Sequence, residues 1–271
     1  MRFKPLSMQL FALFLCMLSS PIAKAEWKCD VDLNRGIVVT KDQIRVTNKS
    51  RTLYQINGDS QLFVGGYWIE LDPKQERLLA DLSSGIHYVI PKMILLAKEG
   101  TQLAVETVEQ VYIGLVGTES KGYEKLQVSL ERAQMKVREK FIRTEDNYYI
   151  GPGSFENVDE LVDPELEAQI EKAINTSLGG ILSAIGGLST ADAEELERRV
   201  ERLSQRLENL GQEIELQAGP QAEGLKRKAQ WFCKKLSGLD KIEESLRASI
   251  PELSAYNVIV SGDIKQLESH K

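Results

Sequence analysis

Residues 61–75, QLFVGGYWIELDPKQ, hold the change of period that decides the fold. Gln61-Leu62-Phe63-Val64 and Tyr67-Trp68-Ile69-Glu70-Leu71 are short β-prone runs separated by Gly65-Gly66, which supplies the positive φ angles of a tight hairpin. Asp72 then offers an N-cap, Pro73 suits a first helical position, and Gln75 completes a capping box. Leu78, Leu79, Leu82 and Ile86 follow at helical spacing. Strand therefore gives way to helix at Asp72.

Upstream, Ile37-Val38-Val39, Gln43-Ile44-Arg45-Val46 and Leu53-Tyr54-Gln55-Ile56 are further β-rich runs, the last followed by Asn57-Gly58-Asp59. With 61–71 they predict an antiparallel meander of four or five strands over 30–72. Downstream, Gly85 and Pro91 predict a break or kink before residues 93–98. Gly100 separates that piece from 101–116, where Leu103, Thr107, Val111 and Leu115 step by four, and Gly117 ends the segment. From Glu119, Tyr123, Leu126, Leu130, Ala133, Val137 and Phe141 mark a long amphipathic helix to about Lys140.

The helical period is lost over 141–152 (FIRTEDNYYIGP). Asp146-Asn147 reads as a turn between two extended pieces, and this segment is the expected boundary between halves of the chain. Asp163-Pro164 starts another capped helix, with Leu166, Ile170, Ile174, Ile181, Ile185 and Leu188 on its apolar face. Ala193, Leu196, Val200, Leu203, Leu207, Leu210 and Ile214 then alternate by three and four, a heptad seam in a helix expected over 190–217 and roughly 40 Å long. Gly219-Pro220 is expected to stop it. A later helix carries Leu225, Ala229, Phe232 and Leu236, and another carries Ile242, Leu246 and Ile250 before Pro251. Residues 256–260 (YNVIV) form one last β-prone run.

The expected fold class is α+β: a small N-terminal antiparallel meander (26–72) followed by a mostly helical body of long antiparallel amphipathic helices. The body divides into a helical region (73–141), an extended linker or hairpin (142–162), a helical bundle (163–250), and a C-terminal strand and tail (251–271). The seam 193–214 has two readings. It packs within the chain against the 119–141 helix, as short connections favour, or it joins two copies in a homo-oligomer. Residues 175–191 (NTSLGGILSAIGGLSTA) carry no charge, with Gly179, Ser183 and Gly187 four apart. That spacing lets helices approach closely. It suits a tight crossing in a bundle, or a segment that inserts in a membrane or lines an apolar groove.

The first 25 residues read as a signal peptide. Arg2 and Lys4 precede a nine-residue apolar core at 10–18 (LFALFLCML), Ser19-Ser20-Pro21 breaks it, and Ala23-Lys24-Ala25 is an A-x-A cleavage site. The mature chain would begin at Glu26, after cleavage at Ala25. The core is too short for a membrane span, which needs about 20 residues, so no stable span is expected after cleavage. Cys16 follows Leu15, the wrong neighbour for a lipoprotein. Cleavage removes three bases and no acid from a formal net charge of −6, leaving −9. An acidic surface disfavours nucleic acid and anionic lipid headgroups.

Two cysteines remain, Cys29 and Cys233, an even number in an oxidising compartment. That favours a disulfide tying the N-terminus to a late helix, worth at most roughly 5 kcal/mol in the chain-entropy model. The alternative is two separate thiols, each beside lysine: Cys29 after Lys28, Cys233 before Lys234 and Lys235. No histidine lies near either and there is no C-x-x-C, so no catalytic thiol is assigned.

Asp30 and Asp32 share one face of an extended segment, without further ligands at the spacing of a cation loop. Glu194-Glu195 and Glu243-Glu244 read as solvated helix faces. His87, near Pro91, reads as a packed histidine, and His270 lies in the tail. No G-x-S-x-G, H-E-x-x-H, P-loop or dinucleotide fingerprint is present. Asn48-Lys49-Ser50 and Asn175-Thr176-Ser177 match the glycosylation pattern, which matters only in a eukaryotic secretory path. No catalytic residue, cofactor or metal ligand is assigned.

Several of these features together resemble the YggN-like family, uncharacterised exported proteins of Gram-negative gammaproteobacteria. They are Trp27-Lys28-Cys29 after the signal peptide, the Ile37-Val38-Val39 strand, and Leu62-Phe63-Val64-Gly65-Gly66 leading to Leu71 and Gln75. Ser177-Leu178-Gly179-Gly180-Ile181-Leu182 and the late Phe232-Cys233 complete the set. The similarity covers nearly the whole mature chain. It implies a periplasmic setting and a Cys29–Cys233 pair, and brings no catalytic residue.

The expected function is that of an exported periplasmic protein, a non-enzymatic binding or scaffold protein whose helices engage an envelope protein or an apolar ligand. The alternative is a carboxylate-dependent hydrolase of an envelope polymer, which requires a cleft with two Asp/Glu side chains about 5–9.5 Å apart.

Overall fold

The computed structural model describes residues 29–118, 121–155, 165–172, 175 and 193–262. The meander is five strands: β2 (Gly36–Val39), β3 (Gln43–Asn48), β4 (Arg51–Asn57), β5 (Gln61–Val64) and β6 (Tyr67–Ile69). A preceding strand, β1 (Val31–Leu33), belongs to a second sheet. Gly58, Gly65 and Gly66 take positive φ at the hairpin turns, as Asn-Gly and Gly-Gly require. Alternate residues face inward: Ile37, Val39, Ile44, Val46, Tyr54, Ile56, Leu62 and Val64 are buried.

The period changes where the sequence places it. Asp72 caps α1 (Pro73–Val116), accepting from the backbone N–H of Lys74 at 2.7 Å and of Gln75 at 2.9 Å. Gln75 Oε1 accepts from Asp72 N–H at 2.9 Å, and Gln75 Nε2 reaches across to Ser249 O at 2.8 Å. Gly117 ends α1 with φ 87° and donates to Ile113 O. Helix α2 (Lys121–Lys140) follows, then the hairpin β7 (Phe141–Thr144) and β8 (Asn147–Ile150).

Two expectations are corrected. The segment expected as a boundary between halves is a hairpin that joins the sheet: Ile150 pairs with Ile37 and Tyr148 with Val39, giving the strand order β6-β5-β4-β3-β2-β8-β7. Its pairing groups lie about a hundred positions from β2 along the chain, so no local pattern reports them.

Gly85, Pro91 and Gly100 do not break α1, which runs 44 residues, about 66 Å. Nor does Gly219-Pro220 stop α3 (Ala193–Ser249), which runs 57 residues and contains the 193–214 seam. An interior proline removes one helical hydrogen bond, whereas each helix buries an apolar stripe along its partner, and burial supplies most of a helix's stability.

The described end of the seam lies against α1. Leu210 lies against Gly114, where an added Cβ would overlap its Cδ2. Further along, Gln110 Nε2 donates to Gln217 Oε1 at 3.4 Å, Lys228 meets Glu99 at 3.5 Å, and Leu239 covers Gly85. The two helices are therefore antiparallel over most of α1. Gly85 and Gly114 are close-approach positions, which is why the sequence shows glycine there. Helix α2 packs on the far end of α1 through Leu126, Leu130 and Tyr112, joined by Leu166.

The main core lies between the inner sheet face, the first half of α1 (Leu79, Leu82, Ile86, Val89, Ile90) and the last part of α3 (Leu236, Leu239, Leu246, Ile250). A second sheet, β10 (Ile259–Ser261), β1 and β9 (Gly153–Ser154), closes the end of it. Cys29 and Cys233 form a disulfide across 204 positions, with Cα atoms 5.6 Å apart, fastening the lead into β1 to α3. Residues 1–28, 156–164, 176–192 and 263–271 lie outside the described residues, and with them the segment read as a signal peptide, the helix cap expected at Asp163-Pro164, most of the uncharged stretch and His270.

Candidate functional site

An apolar groove of about 500 Å³ lies where α1, the α2–β7 junction and α3 meet. Helix α1 contributes Met93, Leu96, Ala97, Gly100, Thr101 and Ala104; α3 contributes Leu225, Lys226, Ala229, Phe232 and Cys233. These fall at three- and four-residue spacings on each helix, so one stripe of each faces the groove. Small residues on the facing stripes leave the width. A Cβ at Gly100 would meet nothing within 4 Å, so the groove is open at its floor. Thr101 spends its hydroxyl on Ala97 O at 2.7 Å, within the helix.

Val137, Phe141 and Phe155 close the third side. The rings of Phe141 and Phe155 are 6.5 Å apart, and Lys140 Nζ sits 5.9 and 5.7 Å from their centroids while donating to Ser154 O at 2.9 Å. Lys140 thus sets a cationic head beside an apolar trough that Lys226 also lines. Cys233 is bonded to Cys29, so the groove presents a disulfide there rather than a nucleophilic thiol. The volume and lining are those of a small-molecule site.

Chemistry of a second kind lies in the core, and here the reading of Glu243 as solvated is corrected. Asp240 and Glu243 are buried, whereas Glu244 is partly exposed and pairs with Arg247. Glu243 accepts from the backbone N–H groups of Val258 at 3.0 Å and Ile259 at 2.8 Å. Asp240 Oδ2 accepts from Ser261 N–H at 2.9 Å and its hydroxyl at 2.5 Å. Both carboxyls therefore dock the segment entering β10 onto α3, satisfying buried backbone donors.

Burial pushes Glu243 up to about 8, against the pull of those N–H donors and of Arg247. Burial likewise raises Asp240, opposed by its hydrogen bonds to Ser261. Tyr54 is held well above the ordinary range by burial, then by the neighbouring Glu243. A signal was present in the sequence. Leu236, Leu239, Asp240, Glu243, Leu246 and Ile250 share the three-four stripe that faces the core, and Glu244 stands beside it.

His87 is a packed histidine. Its Nε2 faces Thr40 O at 3.1 Å and its Nδ1 faces Ser83 O at 3.0 Å, linking α1 to the β2–β3 turn. Asp32 lies in β1 opposite Val260 and Ser154. Among the described residues, no group of three or more His, Cys, Asp or Glu side chains is placed to hold a metal ion. No helix among them is long and apolar enough to cross a membrane.

No curated protein and no solved structure matches the chain. A family model does, over residues 29–259, from the first bridging cysteine to the first residue of β10. That model is described as a protein of unknown function, DUF2884, and the chain belongs to this family of uncharacterised proteins.

Proposed function

We propose that this chain is an exported, non-enzymatic binding protein of the cell envelope that takes a small amphipathic molecule, apolar in body and anionic at one end, into the groove between α1 and α3. The groove carries this reading: about 500 Å³, lined by aliphatic, aromatic and small residues, with Lys140 and Lys226 at its edge. The periplasmic setting rests on the signal-peptide pattern of residues 1–25, with cleavage at Ala25, and agrees with the Cys29–Cys233 bridge. The hydrolase alternative needs two carboxylates facing a cleft. The buried carboxyls of Asp240 and Glu243 are directed at the backbone of 258–261 instead.

The test is binding of a fluorescent long-chain fatty acid to the purified protein, with and without Ala229→Trp, which fills the groove. Saturable binding of one probe per chain is expected, weakened about tenfold or more in the variant while its thermal melt stays cooperative. No binding to the wild-type chain, or equal binding to both, would remove the groove as a ligand site.

A further inference from the structure

The outer side of the α1–α3 pair carries a feature that the net charge conceals. Residues 82–98 on α1 hold two lysines and no acid; residues 224–239 on α3 hold five cations and no acid, of which Lys226 lines the groove while Arg227 and Lys228 line the outer depression. The antiparallel register that sets Gly85 under Leu239 and Glu99 beside Lys228 brings these two acid-free stretches side by side. The formal net charge of the chain is −6, yet charges further apart than about 10 Å are largely screened in salt. A partner touching this face meets Lys92, Arg227, Lys228 and Lys235 against Glu99 and Glu223, a local excess of positive charge that the chain average does not show.

Two exposed aromatic rings stand in the middle of it. Tyr88 is 49% exposed and Trp231 40%, and they meet edge-on with centroids 5.7 Å apart. Each has a lysine one helical turn further along its own helix: Lys92 Nζ is 3.1 Å from the Tyr88 centroid, and Lys235 Nζ is 5.2 Å from that of Trp231. Arg227 and Lys228 line the same shallow depression, and its one acid, Glu99, is engaged by Lys228. Tyrosine and tryptophan flanked by cations suit the level of lipid headgroups, where an apolar ring body and a polar edge are both accommodated.

We propose that this face docks the protein on the surface of a bilayer containing anionic phospholipid, without insertion of a helix. Charge complementarity names the occupant, and three features favour a membrane surface over a single soluble anion. The cations are spread over two parallel-lying rods instead of converging on a point. Both rings of the aromatic pair are exposed. Leu96 and Phe232 line both this depression and the apolar groove behind it, so the groove opens one side chain away from the docked surface. The docking itself holds whether or not the groove is filled.

The experiment is co-flotation of the exported, disulfide-bonded protein with vesicles of phosphatidylethanolamine and phosphatidylglycerol, against vesicles of phosphatidylcholine. Binding to the anionic vesicles alone is expected, abolished in about 1 M salt. Lys92→Glu with Lys235→Glu should weaken it by about tenfold or more, while Lys41→Glu with Lys74→Glu, the same change in net charge elsewhere, should leave it unaltered. Ala229→Trp should still float, which separates failure of the groove from failure of the face. Equal binding to neutral vesicles, equal loss in both double variants, or retention on heparin with no flotation would each overturn the proposal.

Discussion

Glu243 places an ionisable group on the core-facing stripe of α3, and its stability cost depends on pH. Its carboxyl holds a proton up to about 8 in the folded chain, against an ordinary value of 4.5. The folded state therefore binds the proton more tightly than the unfolded one. The resulting stabilisation is full below about 4.5, declines as pH rises, and is lost once pH passes about 8. The limiting slope is about 1.4 kcal/mol per pH unit. Urea unfolding followed across that window should show the decline, and Glu243→Gln should flatten it. The same substitution sets an amide NH2 group against a backbone N–H of 258 or 259, so it should also cost about 1–3 kcal/mol at acidic pH. A variant with the wild-type pH slope would assign the effect to another group.

At the scale of elements, the two long helices tolerate residues that ordinarily interrupt helices. Pro220 lies inside α3 at an exposed position. Its missing N–H leaves one helical carbonyl without its bond, and no packing depends on the ring. Pro220→Ala should therefore raise stability by about 1–2 kcal/mol, the gain in helix propensity less the lost stiffening of the unfolded chain. The thermal midpoint reads this directly; a lower midpoint would mean that the helix needs a bend there. Gly85 and Gly114 are different, because leucine side chains of α3 occupy the space a Cβ would take. Proline in α3 is tolerated, whereas glycine in α1 is used.

For the molecule as a whole, the Cys29–Cys233 bridge closes a loop of 204 positions and fastens the second sheet to the helix that walls the groove. Replacing both cysteines by serine should lower the unfolding free energy by about 2–5 kcal/mol, with far-ultraviolet circular dichroism nearly unchanged in native buffer. Fatty-acid binding should weaken in the same variant, since Cys233 lines the groove. A bridge-free protein with unaltered denaturant midpoint would show that the contacts of β1 with β9 and β10 hold that end unaided. The groove and the basic aromatic face share the α1–α3 pair, so one packing arrangement carries both proposals.

Local chemistry made much of this legible. The alternation of 30–71, the glycine turns and the capping box at Asp72 each act within a few residues, so the meander and the start of α1 follow from the sequence. The hairpin around Asp146-Asn147 and the last strand are equally local, and the α+β class follows from them. Tertiary structure decided the rest. Pro91 and Pro220 stay helical because burial along a partner outweighs one lost hydrogen bond. The end of the seam at Leu210 lies on α1 because the antiparallel register runs on through 217, 228 and 239. Glu243 is buried because the stripe it occupies turns inward, while Glu244, one residue on, does not. The groove is assembled from residues up to 140 positions apart. The basic face exists only because two acid-free stretches meet. Chemistry that depends on which distant segments are neighbours leaves no trace in a local pattern, because the free energy that makes them neighbours is burial summed over the whole chain.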